Sequence, residues 1–162
     1  MIVKATDFIG EYKVPKTLYS EIDQFIEDYE KPFLQRMLGV ELYDLFVADL
    51  VDGVPQDQIY LNIFEPLSYD LNNIVYQSEG IKRMLVELIY YYYTVSVQTY
   101  NTATGTMSTE SEVSTKASYK NNIIVAYNKA VANAHVIQQY IFDKKEDYPT
   151  QNLQKLEYIS GI

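Results

Sequence analysis

Side chains able to do chemistry are few in this chain, and their spacing does not suit it. His135 is the only histidine. A metal site would need partner ligands at helical or loop spacing, and a catalytic dyad would need a nucleophile beside it. Its neighbours are Asn133, Ala134 and Val136, which reads as an ordinary hydrogen-bonded or solvent-facing histidine. The acidic run Glu21, Asp23, Glu27, Asp28 and Glu30 falls on one helix, where Asp23 and Glu27 are four apart and could in principle hold a cation. Such runs are usually solvated faces. Asp49, Asp52-Gly53 and Asp57 lack the ligand spacing of a calcium loop and the glutamate that ends one. The glycines are isolated, so no phosphate-cradling loop is present, and the absence of cysteine removes thiol catalysis and thiolate metal sites. The sequence points away from catalysis, and no catalytic, cofactor or metal residue is assigned.

The elements that carry these residues are helical by pattern. An extended lead-in, Thr6–Lys16, is punctuated by Gly10 and Pro15. Thr17 is placed to cap a helix from Leu18 to Leu38, with Gly39 as its stop and Pro32 expected to kink or divide it near Glu30. A second helix over Glu41–Leu50 is expected to bury Leu42, Leu45, Phe46 and Leu50, and Asp52-Gly53-Val54-Pro55 to close it with a turn. Ile59, Ile63 and Phe64 suggest a short helix before Pro66, and Asn72-Asn73 a turn.

Residues 79–100 are the most telling. Ile81, Leu85, Leu88, Tyr92, Val95 and Thr99 mark one packed face, and Ser78 is a candidate N-cap. Tyr90, Tyr91, Tyr92 and Tyr93 turn in successive ~100° steps, so they cannot all face one core. Nothing after Glu87 in this segment is charged, which implies a helix enclosed on most sides, by its own bundle or by neighbouring subunits. Tyrosine suits an assembly surface, and these four are read as divided between core and subunit interface.

The connection Asn101–Thr115, roughly 15 residues long, exceeds an ordinary helix–helix loop. Alternation of Thr102, Thr104 and Thr106 around Gly105 favours a short β-hairpin. A long helix follows from Lys116 to Phe142, striped by Tyr119, Ile123, Tyr127, Ala130, Ala134, Ile137 and Ile141. In it, Ala126, Ala130 and Ala134 allow another helix to approach closely. Pro149 divides a domain of residues 1–149 from a tail, 150–162. In the tail, Leu153, Leu156, Ile159 and Ile162 form an apolar stripe suited to docking in a partner's groove, the alternative being a tail lying on its own domain. The fold class expected is mainly α: a helical bundle with two long helices joined by a Thr/Ser-rich loop or short β-hairpin, plus the C-terminal tail.

With 162 residues and 48% apolar composition the chain is long enough for a substantial core. Its formal charge of −9 argues against independent nucleic-acid binding, which needs a basic footprint. No signal-peptide run or transmembrane span is read, and a cytoplasmic site of synthesis or assembly is expected.

The segment Tyr29-Glu30-Lys31-Pro32-Phe33-Leu34-Gln35-Arg36-Met37-Leu38-Gly39-Val40-Glu41-Leu42-Tyr43-Asp44-Leu45 resembles a recurring pattern of small head-to-tail connector proteins of tailed bacteriophages. There one helix ends in Leu-Gly and the next begins with an acidic residue, Leu and Tyr. Ser78-Glu79-Gly80-Ile81 leading into an aromatic helix, Thr104-Gly105 in a polar loop and a long Ala-rich helix are similar as well, particularly to versions from phages of Bacteroidetes and crAss-like phages. The resemblance spans about residues 5–145 and does not extend to the tail. It implies an adaptor ring in the virion neck, a homo-oligomer matching a twelvefold portal, that joins the portal to the tail or next ring. DNA would pass through its channel without specific binding. It also implies that the loop holding Thr102, Thr104, Gly105 and Thr106 faces the channel or a neighbour. The tail stripe is then the expected portal-docking segment, inferred from its own pattern. A reading from a different class stays open: a small cytoplasmic helical regulator or inhibitor that binds one host protein.

Overall fold

In the computed structural model the backbone is described for residues 1–102, 105–108, 113–149 and 153–159, and side chains for 1–97, 123–149 and 153–159. Among the described residues five α-helices, α1 (Tyr19–Leu38), α2 (Val40–Ala48), α3 (Gln58–Phe64), α4 (Gly80–Gln98) and α5 (Val113–Asp143), carry most of the chain. Between them lie three antiparallel two-stranded hairpins: β1 (Leu50–Val51) with β2 (Val54–Pro55), β3 (Leu67–Leu71) with β4 (Ile74–Ser78), and β5 (Thr99–Thr102) with β6 (Gly105–Ser108). This corrects the expectation of a mainly-α bundle: the fold is mixed, mostly helical, with sheet built into its connections. The β3–β4 hairpin is the part that helical reasoning overlooks. Leu67, Tyr69 and Leu71 alternate as half-buried positions with exposed Ser68 and Asp70, which is period two. Asn72 and Asn73, both at positive φ, make the tight turn, and Tyr69 stacks on Tyr76 and meets Tyr140 of α5 edge-on. The Tyr69 hydroxyl is buried without a hydrogen-bond partner, and burial pushes its pKa up to about 12.

α4 is the centre. It packs most extensively along α5, and on α1 and α3. Ala126, Ala130 and Ala134 of α5 are all buried, the close approach that a small-residue row permits. Ile81, Met84, Leu85, Leu88 and Ile89 of α4 are sealed from solvent, but Val95 is exposed, so the packed face stops before the helix does. α4 starts where it does because Gly80, at φ +84°, passes against α3. A Cβ there would lie 2.3 Å from Phe64 O and 2.7 Å from Glu65 C. Ser78 Oγ accepts from Gly80 N–H at 3.2 Å.

The lead-in is no loose extension. Three single-turn 3-10 helices (Ala5–Asp7, Gly10–Tyr12, Lys16–Leu18) put Ile2, Val3, Phe8, Tyr12 and Val14 into the core. Glu30 holds this arm by accepting from Ile2 N–H at 2.9 Å and Val3 N–H at 3.0 Å. The 3-10 turn at Lys16–Leu18 moves the start of α1 to Tyr19, so Thr17 is not its cap. Pro32 does not divide α1. It lies on the exposed side, as does Asp28, the residue whose carbonyl the missing Pro32 N–H would have met. Gly39, at φ +77°, both ends α1 and opens α2. On α2 only Leu42 and Phe46 are buried; Leu45, expected inside, is exposed.

Among the described residues no helix is long and apolar enough to cross a membrane.

Candidate functional site

The four consecutive tyrosines sit at the middle of α4 and form an aromatic belt within the subunit. Tyr90 lies 5.1 Å from the Tyr12 ring of the N-terminal arm. Tyr91 meets Tyr127 of α5 at 4.8 Å, Tyr92 stacks on Tyr29 of α1 at 4.0 Å and 8°, and Tyr93 takes the edge of Phe25 at 5.6 Å. Tyr93 is core, and the other three are half-buried. Every direction into which the helix turns a tyrosine is met by a ring of the same chain, because α1, α5 and the arm surround α4. Tyr90, Tyr91 and Tyr92 keep their outer edges uncovered. Burial raises the hydroxyl pKa values of Tyr91 and Tyr92, so these phenols stay neutral donors and acceptors.

One turn earlier in α4 lies a polar cluster that the sequence reading did not single out. Glu87 is sealed from solvent. It accepts from Asn133 Nδ2 of α5 at 3.0 Å and from the Tyr12 hydroxyl at 3.4 Å, with Arg83 Nε at 3.6 Å. Asn133 in turn accepts from Glu79 N–H at 2.8 Å. Arg83 reaches Glu11 at 2.9 Å and lies over the Tyr12 ring at 4.5 Å, and Lys129 joins Glu11 at 3.3 Å. Burial is the main cause that pushes the Glu87 carboxyl up to about 7, with Asn133, Arg83 and Lys129 pulling the other way. A groove of roughly 330 Å³ borders the cluster at Glu79, Lys82 and Arg83 but has no wall at Glu87. A carboxyl that titrates near neutrality behind a closed surface ties arm, α4 and α5 together. The signal was available: a glutamate inside Met84-Leu85-Val86-Glu87-Leu88-Ile89 must find a partner.

His135 is pinned rather than poised. Its Nε2 donates to Leu156 O at 2.6 Å, and Tyr158 packs edge-on at 5.1 Å. Residues 153–159 form neither helix nor strand and lie as a strap along α5. Asn128 pairs with both backbone groups of Ile159 at 2.9 Å, Gln138 Nε2 donates to Gln154 O and Met37 O, and Gln154 N–H reaches Arg36 O. Leu156 is buried in the domain core, Leu153 packs against that core and Ile159 is half-buried. Leu156 can therefore enter a partner's groove only by leaving its own. Ile162 lies outside the described residues. Between strap, α5 and β4 runs an open groove of roughly 620 Å³, walled by Tyr76, Phe142, Leu153 and Tyr158.

Of the loop residues named from sequence, Thr102 pairs with Gly105 and Thr106 with Asn101 in the β5–β6 ladder; Thr104 lies outside the described residues. Among the described residues no group of three His, Asp or Glu side chains could hold a metal ion. In the acidic run of α1, Glu30 is occupied with the N-terminal arm and Asp28 accepts from Gln24 at 3.3 Å.

No family model matches this chain, and no curated protein or solved structure matches it.

Proposed function

We propose that this chain is a structural subunit of a phage neck ring that joins the portal to the tail or the next ring and continues the DNA channel. The observation that carries the reading is the hairpin between α4 and α5. α4 and α5 run side by side, and β5–β6 extends from their junction, at the place where the resemblance puts the channel or neighbour loop. Support also comes from the Leu38-Gly39 turn between α1 and α2, which has the helix–glycine–helix layout of the resembling segment. Two titratable side chains are given over to the fold. Glu87 is enclosed, and His135 holds the strap. On this reading the protein works in the virion neck after assembly in the host cytoplasm, and its net charge of −9 lets DNA slide past without sticking.

Electron microscopy of the purified protein mixed with portal-bearing heads of its phage tests the reading. Rings of portal-matching symmetry seated on the portal vertex are expected. A protein that stays monomeric or dimeric, leaves heads bare and instead forms a one-to-one complex with a host protein would replace the ring by the regulator reading.

A further inference from the structure

α2 has a surface that the fold does not account for. At ~100° per residue, Leu42, Tyr43 and Phe46 fall on one side and pack on the domain, and the other six residues share an outward arc of about 160°. That arc would ordinarily carry charges of both signs. Instead it holds Val40 at 58% exposure, Leu45 at 47%, Val47 and Ala48, interleaved with Glu41 and Asp44. The hairpin that follows adds Val51 and Val54, also exposed. Apolar residues scattered singly over a surface need no explanation; this many on one short segment do.

The sign of the charge is as one-sided as the apolarity. Between Arg36 and Lys82 the sequence holds eight Asp and Glu and no Lys, Arg or His. Some of these acids are engaged locally, as Asp49 is by Gln56 and Asp57 N–H at 2.7 and 2.8 Å, but Glu41 and Asp44 stand exposed beside Val40 and Leu45. A surface of this kind repels nucleic acid and anionic lipid. A second copy carries the same net charge of −9, so two such acidic surfaces repel each other.

We propose that the outward arc of α2 is a docking surface for a different protein, one that presents lysine and arginine around an apolar patch. The aliphatic residues supply the contact area, and Glu41 and Asp44 set orientation and speed encounter. This holds whether or not the chain builds a ring. The probe is a fluorescent amphipathic lysine–leucine peptide, with its glutamate–leucine counterpart as control, titrated with the full chain and followed by anisotropy. Binding of the lysine peptide alone is expected, weakening as NaCl rises from about 0.05 to about 0.5 M. The Glu41→Lys/Asp44→Lys and Leu45→Gln variants, with unchanged melting, should each bind about tenfold more weakly. Equal binding of both peptides, no binding of the lysine peptide, or variants that bind like wild type would overturn the proposal. So would sedimentation showing self-association that Leu45→Gln abolishes, since the occupant would then be a second copy.

Discussion

α4 and α2 are both rich in apolar residues, and the molecule uses them in opposite ways. α4 is surrounded by α1, α3, α5 and the N-terminal arm, so that even Glu87 and Thr94 are buried. α2 turns off α1 at Gly39 and buries little more than Leu42 and Phe46. Composition alone says that both helices favour cover. Their position in the chain decides whether that cover comes from within: α4 lies between partners on both sides in sequence, whereas α2 is followed directly by a short hairpin that cannot wrap it.

The largest effect that would sharpen this contrast is expected at Gly80. Alanine there places a Cβ against the Phe64 carbonyl at a positive φ, so α4 must shift or unwind its first turn. A loss of about 4 kcal/mol is expected, a large part of the stability of a domain this size, read by denaturant unfolding. Retention of wild-type stability would mean that α3 and α4 are not locked together.

Next comes pH. The folded-state pKa of Glu87 is raised from its ordinary 4.5 to about 7, so the folded protein holds this proton more tightly than the unfolded chain. The stabilisation is complete below pH 4.5 and is lost as pH rises through about 7, amounting to about 3 kcal/mol between those limits. Glu87→Gln keeps the neutral shape and should remove that slope. The stability difference between wild type and variant, measured from pH 4 to pH 8, checks it. Parallel profiles would show that Glu87 does not titrate in this range.

The smallest effect sits within α2 itself. Leu42→Ala should cost about 3 kcal/mol and Leu45→Ala about 0.5, two leucines one turn apart on the same helix. Thermal melts of the two variants measure it, and comparable losses would mean that α2 is covered after all.

The parts of this fold that could be read from sequence are those set by local geometry. Gly39 ends a helix because the backbone there takes a positive φ, Asn72-Asn73 turns for the same reason, and the alanine row of α5 marks a close helix contact. What local pattern leaves open depends on partners far along the chain. Leu45 carries the right period for burial, but no element lies opposite it. The tail has three-residue spacing, yet its conformation is set by Asn128, His135 and Gln138, which lie about 16 to 31 positions away, a coupling invisible to any local pattern. That the tyrosine run faces several directions follows from helix geometry alone. That those directions are filled by Tyr12, Phe25, Tyr29 and Tyr127 is tertiary information.

The strap has a consequence for how chains of this kind can diverge. α5 grips it through main-chain groups, which every residue offers alike, while Leu156 is gripped by shape, with Leu153 against the core and Tyr158 against His135 as lesser contacts. Selection on that contact should therefore fall on the holder rather than on the held. Asn128, His135 and Gln138 are constrained, while exposed Lys155 and Glu157 are free to drift. Two chains sharing this clasp would look unrelated along 153–159 and still close in the same way, so the end of the molecule hardest to align would be among its best kept in shape.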